Sequence, residues 1–132
     1  MIDIGTRIPP LRRRIEQADM IAYAGATWDW HRLHYDTGYV TERGLPAPVI
    51  DGQLFGALLA EQLLDWIGPR ARITRLHFRF RAMAFAGETV CCTGEVIETD
   101  PDGALVVRQQ VAVAGDRPRV IVAPAGATVL PE

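Results

Sequence analysis

The hydrophobic pattern changes period near the middle of the chain. Residues 53–67 read Gln-Leu-Phe-Gly-Ala-Leu-Leu-Ala-Glu-Gln-Leu-Leu-Asp-Trp-Ile, with Gln53, Glu61, Gln62 and Asp65 as the polar positions. A helix that is apolar on nearly every side is a buried one. Gly68-Pro69 stops it, the glycine past its end and the proline unable to continue it. From 73 to 80 the period drops to two. Leu76, Phe78 and Phe80 fall on one face, and Arg75, His77 and Arg79, continued by Arg81, fall on the other, which is strand alternation.

Two further strands are predicted over 89–98 and 104–113, joined by the turn Asp100-Pro101-Asp102-Gly103, and a last one over 119–129. Upstream of the long helix the signals are shorter. Pro9-Pro10 leads into an edge strand at Leu11–Ile15, whose Arg12-Arg13-Arg14 run resists strand-to-strand aggregation. Residues 18–26 carry a one-sided stripe of Met20, Ile21, Tyr23 and Ala24, a short helix with Asp19 near its start. Residues 36–43 form a helical turn ended by Gly44. The order is therefore a strand, helical and looped material, a long buried helix and four strands. That is an α+β layout, an antiparallel sheet wrapped around one helix, in a single domain over 1–132. Such a sheet leaves an open edge and face, so a dimer is expected.

Composition changes this picture mainly by what it lacks. The chain has no lysine, no serine and no asparagine, and its fourteen positive charges are all arginines. A serine nucleophile and a Schiff-base lysine are thereby excluded. A net charge of −2 gives no reason to expect nucleic acid as a partner. No apolar run is long enough to span a membrane or to act as a secretory signal, so a cytoplasmic protein is expected. Cys91 and Cys92 are neighbours in a predicted strand and point to opposite faces, which disfavours a disulfide between them.

The candidate chemistry lies in Asp29-Trp30-His31-Arg32-Leu33-His34 and in the entry to the long helix, Asp51-Gly52. An acid and an imidazole converging on one small site can hold a water between them and move protons without a covalent intermediate. Gly52 would open the helix, where backbone N–H groups are unsatisfied and the dipole favours negative charge. A glycine there lets a carbonyl approach the main chain, which suits an oxyanion site. The plainer reading is a helix-start glycine capped by Asp51.

The run Tyr23-Ala-Gly-Ala-Thr-Trp-Asp29-Trp-His-Arg-Leu-His34-Tyr-Asp36 resembles the motif of the MaoC-like (R)-specific enoyl-CoA hydratases, approximately Y-x-x-x-[ST]-x-D-x-N-P-[LIV]-H-x-D. The likeness continues through Gly44-Leu45-Pro46, Val49-Ile50-Asp51-Gly52, Trp66-Ile67-Gly68, Arg79-Phe80-Arg81-Ala82 and Phe85-Ala86-Gly87-Glu88-Thr89, essentially the whole chain. The resemblance implies a hot dog fold and a substrate carried as a coenzyme A or acyl-carrier-protein thioester, with no further cofactor. It implies that Asp29 and His34 add water to a 2-enoyl thioester, or remove it, while the Gly52 N–H polarises the carbonyl. Asp51, His31 and Tyr35 are the substrate-binding candidates beside them.

The departures from that pattern are His31 and Arg32 where the family has Asn and Pro, Asp51 where it commonly has His, and Ala60 where known members carry a serine. Asp51 adds a negative charge that would raise the pKa of Asp29 or repel an anionic acyl group. His31, Arg32 and Asp51 are thus expected to decide what the protein acts on. Arg79 and Arg81, with Arg75 and His77, form either a solvated or intersubunit sheet face or a contact for coenzyme A phosphates. His31 and His34 with Asp29 or Asp36 do not match a familiar zinc spacing, and no metal is expected. Two other functions stay open. One is a hot dog thioesterase. The other is a non-catalytic acyl-binding subunit that completes a partner's tunnel, so a homodimer and a heteromer with a second hot dog chain are both retained.

Overall fold

The computed structural model describes residues 2–132. Its elements run β1 (Arg7–Arg14), α1 (Gln17–Thr27), a 3-10 turn (Arg32–His34), α2 (Thr37–Glu42), α3 (Gly52–Ile67), β2 (Arg72–Phe80), β3 (Thr89–Thr99), β4 (Leu105–Val113) and β5 (Arg119–Leu130). The strands form one antiparallel sheet in the order β1-β3-β4-β5-β2. The expected α+β layout, a sheet curled around one long helix, is what forms.

Most boundaries fall within a residue or two of the sequence expectation, and β1 departs furthest. It begins at Arg7 and includes Pro9 and Pro10, rather than starting after them. The register breaks between Ile8 and Leu11, so Ile8 pairs with Gly94 and Leu11 with Cys92. Proline is tolerated at such a break and on an edge strand because no ladder N–H is missed there. Ile15 falls just past the strand and is buried in the core.

The long helix also needs a correction. It was expected to be buried on nearly all sides, but the sheet covers one side only. Phe55, Gly56, Leu58, Leu59, Gln62 and Leu63 face the sheet, while Gln53, Ala57, Leu64 and Asp65 are exposed. The open flank of the helix and the two edge strands, β1 and β2, are the surfaces from which a dimer was expected.

Close approach of helix to sheet rests on two glycines. A Cβ on Gly56 would meet the Phe78 ring at 2.6 Å, and one on Gly52 would meet the Phe80 ring at 2.4 Å. Both rings project from β2, so the Gly-x-x-x-Gly spacing is a helix–sheet packing device. Buried polar groups lock the register between the layers. Gln62 Nε2 donates to the carbonyls of Pro9 and Cys92, and Gln109 Nε2 donates to Leu59 O and Gln62 Oε1. Cys91 and Cys92 are free and differ in burial, as their alternation requires. Burial pushes the Cys92 thiol up to about 12, which keeps it unreactive. No helix among the described residues is long and apolar enough to cross a membrane.

Gly56→Leu is expected to force Phe78 off the helix and to lower stability by about 1–3 kcal/mol, the usual cost of overpacking. Urea unfolding of the two proteins measures it, and an unchanged midpoint would contradict the packing role.

Candidate active site

The residues singled out at the two ends of the looped region meet at the start of α3. Helix α1 is closed by Trp28, which adopts the left-handed conformation (φ 60°, ψ 30°). The N–H groups of Trp28 and Asp29 both donate to Ala24 O. That turn folds the chain back so that Asp29 lines a recess with Met20 and Tyr23 of α1 and Leu54 of α3. The backbone N–H of His31 reaches Asp29 Oδ1 at 3.4 Å and steadies the carboxylate.

His34 closes the 3-10 turn. Its Nδ1 lies 2.7 Å from Val49 O. A carbonyl can only accept, so Nδ1 carries a proton, and in the neutral ring Nε2 is left as an acceptor. Nε2 stands 3.8 Å from Asp29 Oδ2 and 3.9 Å from Asp51 Oδ2. The Val49 anchor is itself fixed on two sides. Its N–H donates to Leu33 O at 2.8 Å, it bridges to Phe85, and Ile50 N donates to Ala84 O at 2.9 Å.

Asp51 caps α3, Oδ1 accepting from Gln53 N at 3.1 Å. Its Oδ2 is buried and accepts from no N–H or O–H among the described residues. Polar atoms, one each from Asp29, His34 and Asp51, lie within 4.8 Å of one another and form a single polar cluster. The two acids are not equivalent. The Asp51 side chain is 13% exposed and that of Asp29 40%. Burial, and then the neighbouring Asp29 carboxyl, pushes the Asp51 carboxyl up. The Asp51 carboxyl, followed by the His31 N–H, holds Asp29 below the usual carboxylate range despite its partial desolvation. The expectation that Asp51 would raise the pKa of Asp29 is therefore reversed. The shift falls on Asp51, because the more buried acid is the one that resists ionisation.

Tyr23 is a member of this recess that sequence reasoning did not single out. Burial, then Asp51 and Asp29, raise its pKa, so its hydroxyl stays protonated beside the two acids. The signal was present as the tyrosine that opens the quoted motif. Gly52 is the first residue of α3, where the first-turn N–H groups have no acceptor within the helix.

The other candidates do not line the recess, although the His31 ring stands 6.0 Å from that of His34. His31 turns back on its own 3-10 turn, Nδ1 accepting from Leu33 N at 3.1 Å. Arg32 pairs with Asp36, which also caps α2 through Tyr39 N. Asp29 and His34 do come together, with Asp51 as the third ligand-type group in place of His31 or Asp36. Tyr35 stacks edge-on against Trp30, ring centroids 6.0 Å apart, and does not line the recess. Arg79 is exposed on β2. Arg81 borders an open hollow of about 470 Å³ with Arg7, Glu95 and Arg108, which shares no residue with the recess. Of the three departures expected to set specificity, Asp51 alone reaches the recess.

The MaoC like domain model matches residues 4–115. The chain belongs to the MaoC-like dehydratase family. Among characterised relatives it is 26% identical over 108 residues to the 3-oxo-4,17-pregnadiene-20-carboxyl-CoA hydratase beta subunit of Mycobacterium tuberculosis, covering 82% of this chain and 83% of that protein. Two solved structures superpose closely. An (R)-hydratase from A. caviae involved in PHA biosynthesis gives a TM-score of 0.91 at 20% identity, over 99% of this chain and 98% of that one. A chain of the ChsH1–ChsH2 complex from Mycobacterium tuberculosis gives 0.87 at 22% identity, over the full length of both. The fold is the hot dog fold, as the sequence resemblance implied. Within this MaoC-like frame, the acid before the helix glycine is the change that alters the electrostatics of the recess.

That acid gives a signed prediction for stability. The folded pKa of Asp51 is raised, so its ionisation weakens the fold as pH rises through that pKa, and the penalty is absent where the carboxyl is neutral in both states. Asn caps a helix as well as Asp does. Asp51→Asn is expected to melt above the wild type near neutral pH, with the gap closing as pH falls to about 3.9, the ordinary carboxylate value. Melting curves between pH 3.5 and 8 test this, and a gap that did not vary with pH would contradict it.

Proposed function

We propose that the protein adds water to a 2-enoyl thioester, or removes it from a 3-hydroxyacyl thioester, as the water-activating chain of a two-chain hot dog assembly. The observation that carries this reading is the convergence of Asp29 and the Nε2 face of His34 at 3.8 Å. Two acceptors at that separation orient one water by its two hydrogens. His34 is the better base of the two, because its Nδ1–H is tied to Val49 O and its Nε2 is left free to accept, whereas Asp29 is held below the usual carboxylate range.

In the hydration direction the water oxygen bonds to C3 as its proton passes to His34 Nε2. The electron pair of the C2–C3 double bond moves toward the thioester carbonyl, whose developing negative charge is met by the Gly52 N–H at the N-terminus of α3. The imidazolium, held between Asp29 and Asp51, then gives its proton to C2. Water is consumed, both its hydrogens are accounted for, and no acyl-enzyme forms.

The two-chain form is supported by size. The recess around Asp29, His34 and Asp51 encloses no water-sized cavity in this chain by itself, whereas small-molecule sites run to roughly 300–1,000 Å³. Water and the acyl chain must therefore meet the pair from its open side, where the Asp29 side chain is 40% exposed and Trp30 and Phe80 stand uncovered. A second hot dog chain over that ground would complete a tunnel. The family relative named as a beta subunit and the ChsH1–ChsH2 complex favour a different chain over a second copy.

The purified protein, alone and with its partner chain, should be incubated with short- and medium-chain 2-enoyl-CoA while loss of the conjugated thioester and release of free thiol are followed. Loss without thiol is expected. Thiol release would replace this reading with a thioesterase. Asp29→Asn and His34→Ala should each lower turnover by about 10² or more, with circular dichroism unchanged. Wild-type turnover in either would end the mechanism.

A further inference from the structure

We infer that Asp51 is a positioning residue of the reaction: its carboxyl shares a single proton with Asp29, and the site works while that proton is in place. This rests on the hydration reading above for its consequence; the shared proton is argued from the unpartnered, buried Asp51 Oδ2 in a cluster with Asp29 and His34. Asp51 Oδ2 is buried beside Asp29 and His34 and takes no hydrogen bond from an N–H or O–H among the described residues. Two ionised carboxylates are both acceptors only, so a hydrogen bond between them requires a proton on one. The less exposed acid is the one to hold it. A neutral Asp51 keeps its cap, because the carbonyl oxygen of the acid still accepts from Gln53 N. Its O–H, on Oδ2, then points into the cluster and donates to the Asp29 carboxylate.

The groups facing Asp51 come from three segments. Asp29 follows α1, His34 closes the 3-10 turn, and Tyr23 projects from α1. The remaining walls named for the recess, Met20, Ala24 and Leu54, carry no charge. His34 is the one group lining the recess that can carry positive charge and so favour a second carboxylate; while its ring is neutral, loss of the shared proton places two like charges around the water. The direction of the shifts agrees, Asp51 up and Asp29 down.

A neutral Asp51 does two things for hydration. It fixes the rotamer of Asp29, and so the water that Asp29 and His34 orient. It also keeps the site at one negative charge as the enolate-like oxygen develops near Gly52. Ionisation would add a charge of the same sign as the transition state. Activity should therefore fall as pH rises through the loss of this proton. An amide at position 51 donates in the same place and cannot ionise.

The test compares pH profiles of kcat/KM for the assembled wild type, Asp51→Asn and Asp51→Ala. The ratio of Asp51→Asn to wild type is expected to climb with pH, by about tenfold per unit above the wild-type midpoint. Asp51→Ala, which leaves Asp29 without its donor, should lose about tenfold on the acid side, the cost of one hydrogen bond to a charged group. A ratio that stayed flat with pH would reduce Asp51 to a helix cap and overturn the inference, since Asn and Asp cap alike. The proton itself is read without activity, by following the Asp51 carboxyl carbon by NMR. Its midpoint should lie above about 3.9 in the wild type and fall in Asp29→Asn, where an amide N–H replaces the neighbouring charge. A midpoint indifferent to residue 29 would overturn the pair, whether or not the protein hydrates an enoyl thioester. Failure to hydrate with a coupled midpoint would sink the proposed reaction and leave the pair standing.

Discussion

The structure depends on one contact, the seating of α3 on the inner face of the sheet. Apolar burial supplies the attraction but not the register, because a greasy helix can slide or rotate on a greasy sheet at little cost. The amide relay removes that freedom. Gln62 bonds the carbonyls of Pro9 and Cys92, and Gln109 reaches Leu59 O and the Gln62 side chain. Any slip would strand these amides in an apolar interior, at roughly 1–3 kcal/mol for each unsatisfied group. The Pro9 carbonyl is available because the β1 ladder breaks beside it. The proline pair thus serves the core as well as the strand edge.

Once α3 is fixed, the site follows from its N-terminus. Gly52 tucks under Phe80, which sets where the first N–H groups lie. The residues just before it are tied to the 3-10 turn through Val49 and to the chain near Ala84 through Ile50. The His34 ring is held by the same carbonyl that helps carry the chain into the helix. Distances between His34, Asp51 and the oxyanion position are therefore coupled through backbone bonds, the kind of preorganisation that electrostatic catalysis requires.

Much of this was legible in the sequence, and the limits have physical causes. The strands and α3 were visible because period-two and apolar runs are bounded by glycine and proline. The order β1-β3-β4-β5-β2 was not, since nothing local to a strand records its distant partner. Burial of α3 was overstated, because composition describes the whole circumference whereas the sheet covers one side. Asp29 and His34 were found because their spacing sits inside a longer motif. His31, Arg32 and Tyr35 were adjacent in sequence but turn to local partners, a capped N–H, Asp36 and Trp30. Tyr23 opens that motif, but only the fold brings α1, and with it Tyr23, against the start of α3.

Asp51 was the hardest residue to read, because two effects of opposite sign act on it. The helix N-terminus favours an anion by roughly 0.3–1 kcal/mol at the surface. Two like charges about 4 Å apart repel by roughly 4 kcal/mol at an effective dielectric near 20. Next to an ionised Asp29 the second effect is the larger, and burial acts in the same direction. The sequence pattern points the penalty at Asp29, the acid inside the motif. The fold assigns it to Asp51, which has the deeper position. A helix cap was thereby turned into a proton holder without changing its hydrogen bond to the helix. The acid that breaks the family pattern leaves Asp29 and His34 facing each other and ties the charge state of that pair to one additional carboxyl.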